Sequence, residues 1–145
     1  MKMIPARLLQ VTSLNIMVVS PNLEVQQAFA GVLRLWRLTP IVAWSVGEAE
    51  KILNRHPVSL VFYSDEFPGD TDTNGFIQRA SRPSNKVPVV VVSRLDDWER
   101  FVSFLRRGAL DYVLYPLSEV EIARVVKNSL GLVQSNRAQQ VAAAS

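Results

Sequence analysis

Leu60 to Gly69 reads LVFYSDEFPG, an apolar run that delivers Ser64, Asp65 and Glu66 just before an aromatic residue and a Pro-Gly turn. A hydroxyl and two carboxylates at the end of a buried strand are materials for nucleophilic or metal-assisted chemistry. Three kinds of site would use them. A Ser-His-acid hydrolase needs a histidine, and the one available, His56, falls at a helix end beside Pro57. The G-x-S-x-G nucleophile elbow is also absent. A dinucleotide or phosphate site needs glycines in the first strand-to-helix turn. Here that turn is Val19-Ser20-Pro21-Asn22, without glycine, and Pro21 has no N–H to donate. A divalent metal would draw on Asp65, Glu66, Asp70 and Asp72. Successive strand side chains face opposite ways, however, so Ser64 and Asp65 cannot serve one site. Aspartates in a loop such as GDTDTNG serve backbone turns. On these grounds no catalytic residue, cofactor or metal site is assigned.

The elements that would position these groups alternate along the chain. Asn15 to Val19 is a short β-rich run; Val25, Phe29, Val32 and Trp36 then recur at helical spacing. Ile41 to Trp44 reads as a second strand. Ser45 and Glu48 form a capping box for a helix carrying Val46, Ala49, Ile52 and Leu53 inward. Val58 to Tyr63 is the third strand, and a short helix surrounds Phe76 to Ala80. Val87 to Val92, VPVVVV, is continuously apolar and β-branched, which means burial on both faces, as in a parallel sheet covered by helices. Asp96 is placed to cap the fourth helix and Gly108 to end it. Asp111 to Tyr115 is the fifth strand, and Ser118-Glu119-Val120-Glu121 is a second capping box for a helix reaching about Leu130. Five strands alternating with five helices predict an α/β fold, a doubly wound five-stranded parallel sheet with helices on both faces.

Composition sets the outer limits. The chain has 145 residues, 48% hydrophobic and 20% charged, which suits one domain with one core. It contains no cysteine, so disulfides and thiolate chemistry are excluded. The formal charge is +3, but the tight basic groups, Arg34/Arg37 and Arg106/Arg107, fall at helix C-termini, where cations complement the dipole. No nucleic-acid contact is expected from them. No apolar run approaches the ~18 residues of a membrane span, and Pro5 and Arg7 interrupt the N-terminal segment. The expectation is a cytoplasmic protein without membrane contact. Residues 1–13 read as an extension, 14–130 as the domain, and 131–145 as a helix extension or linker tail.

The order of elements, LVFYSDEFPG, the strand VPVVVVS and the segment RRGALDYVLYPL resemble the receiver domain of two-component response regulators, over roughly Asn15 to Leu130. The resemblance implies the flavodoxin-like receiver fold. It also implies where the phosphorylation chemistry would sit: two acids after the first strand to hold Mg²⁺, a phosphoacceptor aspartate ending the third strand, a hydroxyl ending the fourth, and a lysine before proline ending the fifth. The positions that match are Ser20 and Pro21 for the acid pair, Ser64 for the phosphoacceptor, Ser93 for the hydroxyl and Tyr115 for the lysine. Only Ser93 keeps the pattern's chemistry. Arg94 follows it where the pattern has a small residue. Phosphoryl transfer depends on positioning and charge neutralisation, Mg²⁺ wants carboxylate oxygens, and Ser64 without a neighbouring base is a weak nucleophile. The expectation is a degenerate receiver in which Arg94 or Tyr115 fills the phosphoryl space.

Such a module would act by protein contact, with a second copy, another signalling protein or a fused output domain as partner. The resemblance points to the face of the fourth helix, fifth strand and fifth helix, where Tyr112 matches the pattern's switching aromatic. On the fourth helix Trp98, Phe101, Val102 and Leu105 form one stripe, and Phe104 widens it beyond what covering a sheet requires, which reads either as a partner surface or as packing under a neighbouring loop. Trp98, Phe101, Phe104 and Tyr112 are the candidate contact residues. The alternative is a receiver still phosphorylated on a displaced acid, Asp65 or Asp70.

Overall fold

The structure is a computed structural model that describes residues 14–67, 73–82 and 85–144. The extension 1–13 and the loop residues Pro68, Gly69, Asp70 and Asp72 lie outside the described residues. Five strands, β1 (Ile16–Val19), β2 (Ile41–Ala43), β3 (Leu60–Ser64), β4 (Val89–Ser93) and β5 (Asp111–Leu114), alternate with α1 (Leu23–Leu35), α2 (Val46–Arg55), α3 (Thr73–Ser81), α4 (Trp98–Arg106) and α5 (Glu119–Ala144). The strands form one parallel sheet in the order β2-β1-β3-β4-β5. The expected doubly wound α/β architecture is the observed one.

Alternation along each strand splits the core into two layers. Met17, Val19, Val61, Tyr63, Val89 and Val91 face one way and pack with Ala49, Phe76, Ile77 and Phe104, from α2, α3 and α4. Ile16, Val18, Leu60, Phe62, Val90 and Val92 face the other way, against Phe29 and Leu33 of α1 and Ile122 and Val126 of α5. Both faces of the central strands are therefore buried, which is why VPVVVV carries no polar alternation.

The caps explain the helix starts. Asn22 accepts from the Glu24 N–H at 2.9 Å, and Ser45 accepts from the Glu48 N–H at 3.1 Å. Ser118 accepts from the Glu121 N–H at 3.2 Å, the cap expected of it, and its hydroxyl also donates to the Glu121 carboxylate. The fourth helix corrects an expectation. Its cap is Asp97 rather than Asp96, accepting from the N–H groups of Glu99 and Arg100. Tandem aspartates offer two equivalent caps to sequence reading, and the extended backbone at the second selects it. Gly108 ends this helix at φ +109°, a conformation that glycine alone adopts without strain. At the C-terminal side α5 continues to Ala144, well past Leu130.

Because β1, β3, β4 and β5 are adjacent and parallel, their carboxyl ends bring Ser20, Ser64, Ser93 and Tyr115 to one edge of the sheet.

Candidate functional site

Two of these four residues, Ser20 and Ser93, are held by the turn that follows their strand. Ser20 is buried and accepts from the Asn22 N–H at 3.1 Å, so its hydroxyl serves the turn into α1. Gln26, one turn into α1, donates its buried amide to the carbonyls of Val18, Ser20 and Ala43 and so fixes the end of β1. Ser93 likewise accepts from the Leu95 N–H at 3.0 Å. Tyr115 is buried at the end of β5, before a cis peptide bond to Pro116.

The space between these residues is spanned by Arg94. Its Nε donates to Glu66 Oε1 at 2.6 Å, and its guanidinium lies 4.5 Å from the centroid of the Tyr115 ring. Glu66 Oε2 in turn accepts from the Ser64 hydroxyl at 3.3 Å. On the far side Glu24 accepts from the Tyr115 hydroxyl at 3.0 Å and lies 3.9 Å from Arg94. One arginine thus joins four of the loops at the sheet's carboxyl edge. The bond to Glu66, chiefly, holds the Arg94 guanidinium above its ordinary pKa, which keeps it charged throughout.

This arrangement does not suit Mg²⁺. Mg²⁺ is held through one or two carboxylates, with water completing its oxygen shell. At the acid-pair positions Ser20 offers a committed hydroxyl and Pro21 offers nothing. The two carboxylates nearby, Glu24 and Glu66, already face a guanidinium. Ser64 also differs from its sequence reading, because Glu66 does stand beside it as a possible base. Glu66 is bonded to Arg94 through its other oxygen, however, so both of its carboxylate oxygens already have partners. Arg94 and Tyr115 stand side by side at this edge, the guanidinium 4.5 Å from the ring centroid.

Asp65 points to the opposite face of the sheet, as strand alternation requires. Its side chain is 5% exposed and accepts from the Arg100 guanidinium at 2.6 Å. His56 is exposed at the C-cap of α2, away from these groups. Among the described residues no three His, Asp or Glu side chains gather to hold a metal ion.

The contact residues expected on α4 separate. Trp98 is 74% exposed and stacks on Phe101 at 5.3 Å. Phe101 is half-buried and meets the Tyr112 ring edge-on at 5.7 Å. Tyr112 is buried and donates to the Leu95 carbonyl at 2.6 Å. Phe104 corrects the expectation of a surface anchor. It is 4% exposed, stacked at 6.0 Å on Tyr112, with the guanidinium groups of Arg100 and Arg107 over its ring. The buried face of α4 therefore runs through Phe101 and Phe104, and it leaves Trp98 outside.

Glu24, Gln26 and Arg100 were not singled out as site residues by the sequence, and Glu66 was weighed there only as an acid that might hold a metal. An acid in the first turn of a helix reads as a dipole complement, and nothing in spacing links Glu24 to a tyrosine 91 residues away.

With this geometry in hand, the chain can be set beside known proteins. No protein-family model matches it. Over 125 residues it is 23% identical to an NtrX-like response regulator of Rickettsia bellii, covering 86% of this chain and 26% of that protein. Among solved structures, a response regulator from Thermotoga maritima is 25% identical, with a TM-score of 0.74 over 82% of this chain and 98% of its own. A CheY-like receiver domain from Methanospirillum hungatei gives a TM-score of 0.75 at 18% identity, over 86% of this chain and 99% of its own. The chain spans about a quarter of the length of the Rickettsia relative. The fold is the CheY-like, flavodoxin-like receiver fold, and the sequence likeness to response regulators runs over the same residues. Among the described residues no helix is long and apolar enough to cross a membrane.

Proposed function

We propose that the chain is a receiver-type signalling module of the two-component kind that works by protein contact and is not itself phosphorylated. One observation carries this reading. The guanidinium of Arg94, bonded to Glu66 and stacked on Tyr115, lies among the side chains that a phosphoryl group and its metal would have to reach. Neither Ser64 nor Glu66 is free to act there. Against the displaced-acid alternative stands the pairing of Asp65, whose covered carboxylate is bonded to Arg100. No enzymatic activity is assigned.

The contact surface in this reading is the face made by α4, β5 and α5. These elements and the turn before α4 leave Leu95, Trp98, Leu105, Leu114 and Val120 exposed, and exposed apolar groups in number mark contact sites. A second copy of the chain is the simplest partner, because two-fold pairing sets one patch against itself. The test of the central claim is incubation with acetyl phosphate and Mg²⁺, followed by intact mass measurement. The unmodified mass is expected, and stoichiometric gain of a phosphoryl group would overturn the reading.

A further inference from the structure

We propose that Arg94 and Arg100 form a two-sided clasp that fixes the turn between β4 and α4, doing by ion pairs within the chain what a bound group would otherwise do. This rests on the reading above only in taking the turn's exposed side chains as contact residues.

The clasp follows from strand geometry. Asp65 and Glu66 are consecutive, and residues that continue a strand point to opposite faces. The Asp65 N–H still bonds the Val92 carbonyl at 3.1 Å, so the ladder runs on to this point. Glu66 therefore meets Arg94 on one side at 2.6 Å, and Asp65 meets Arg100 on the other at 2.6 Å. The two arginines bracket the turn and the start of α4. Within the bracket Leu95 is tied through both backbone groups, its N–H to Ser93 and its carbonyl to Tyr112. Charge-assisted bonds of this length are the stronger kind. Both guanidinium groups have pKa values raised chiefly by the bond to their acid, in keeping with cations held in place.

The two halves are unequal. Arg94 and Glu66 are 42% and 23% exposed, so water and salt screen them. Asp65 is almost wholly covered, and its pair is the one that should dominate. What the clasp holds is the pose of Leu95 and Trp98, both mostly exposed and both carried by the bracketed segment.

The experiment is amide hydrogen exchange, read by mass spectrometry on the full chain, over residues 94–101. Arg100→Met should raise exchange there roughly tenfold, the scale on which losing a charge-assisted bond shifts a local opening, and Arg94→Met should raise it less. Asp65→Asn acts on the same pair from the opposite partner with almost no change of shape. It should release the same peptides even if Arg100→Met folds poorly. Unchanged exchange in folded Asp65→Asn and Arg100→Met proteins would overturn the clasp. Acetyl phosphate with Mg²⁺ should leave the wild-type pattern unaltered. A change there would count against the phosphorylation-independent reading while leaving the clasp to be judged by the variants.

Discussion

The Tyr115 hydroxyl donates to Glu24 across 91 residues of sequence, at 3.0 Å. That bond ties the end of the last strand to the first turn of the first helix, above the edge of the sheet where Ser64 lies. A tyrosine at this position thus acts as a strut, holding an acid and supporting an arginine with its ring. A lysine there would instead have carried a mobile charge.

The strut has a pH signature. Burial first, and then the bond to Glu24, push the Tyr115 phenol above its ordinary value of 10.0, with Arg94 pulling the other way. A pKa higher in the folded than in the unfolded chain gives stability that is complete below pH about 10. That stability is lost as pH rises through the folded value, because the unfolded chain then releases its proton first. Tyrosinate absorbance should show a late-titrating component that Tyr115→Phe removes. The fall of the urea midpoint above pH about 10 should be shallower in the variant. Identical curves for both proteins would contradict the assignment.

Asp65 and Glu66 are neighbours in sequence and should be unequal in stability. Asp65→Ala removes an almost wholly covered carboxylate from a partner, Arg100, that is itself 37% exposed, and a loss of about 1–2 kcal/mol is expected. Glu66→Ala breaks a pair that solvent already screens and should cost less than ~1 kcal/mol. Urea unfolding of the two variants measures the difference. An equal cost would mean that burial does not separate the two pairs.

Phe104 and Trp98 make a second contrast, on one helix. Phe104→Ala empties a packed site between Tyr112 and two arginines, and should cost about 3–4 kcal/mol. Phe104→Glu, which a surface reading would treat as harmless, should unfold the domain. Trp98→Glu should change stability by no more than ~0.5 kcal/mol while weakening self-association, since aromatics dominate interface energetics. Sedimentation velocity with circular dichroism as the folding control checks both. If the wild type stays monomeric at high concentration, the partner is a different protein.

Sequence reading recovered the strands because their signal is local. Continuous β-branching in VPVVVV means burial on both faces, and the Ser45 and Ser118 boxes mark helix starts within four residues. The orientation of α4 was not local. Trp98, Phe101 and Phe104 are all large and apolar, and a nine-residue helix gives too few turns for periodicity to choose among them. Tertiary contacts make the choice: Asp65 draws in Arg100, Tyr112 stacks on Phe104, and Gly108 fixes the exit. The departures from the receiver pattern at Ser20, Pro21, Ser64 and Tyr115 were legible residue by residue. The contacts these positions make were legible only in part. Arg94 stood out by its size, but its partners Glu66 and Glu24 are 28 and 70 positions away.

The length of α5 has a mechanical meaning. A 26-residue helix extends about 39 Å. Its N-terminal turns cover the sheet through Ile122, Val126 and Leu130. The helix runs on from that packed part to Ala144. A few degrees of tilt in the domain become several ångströms of displacement at Ala144. Any pairing between two copies would set the spacing and angle of two such helices, so a small rearrangement near Tyr115 would be read far away as leverage.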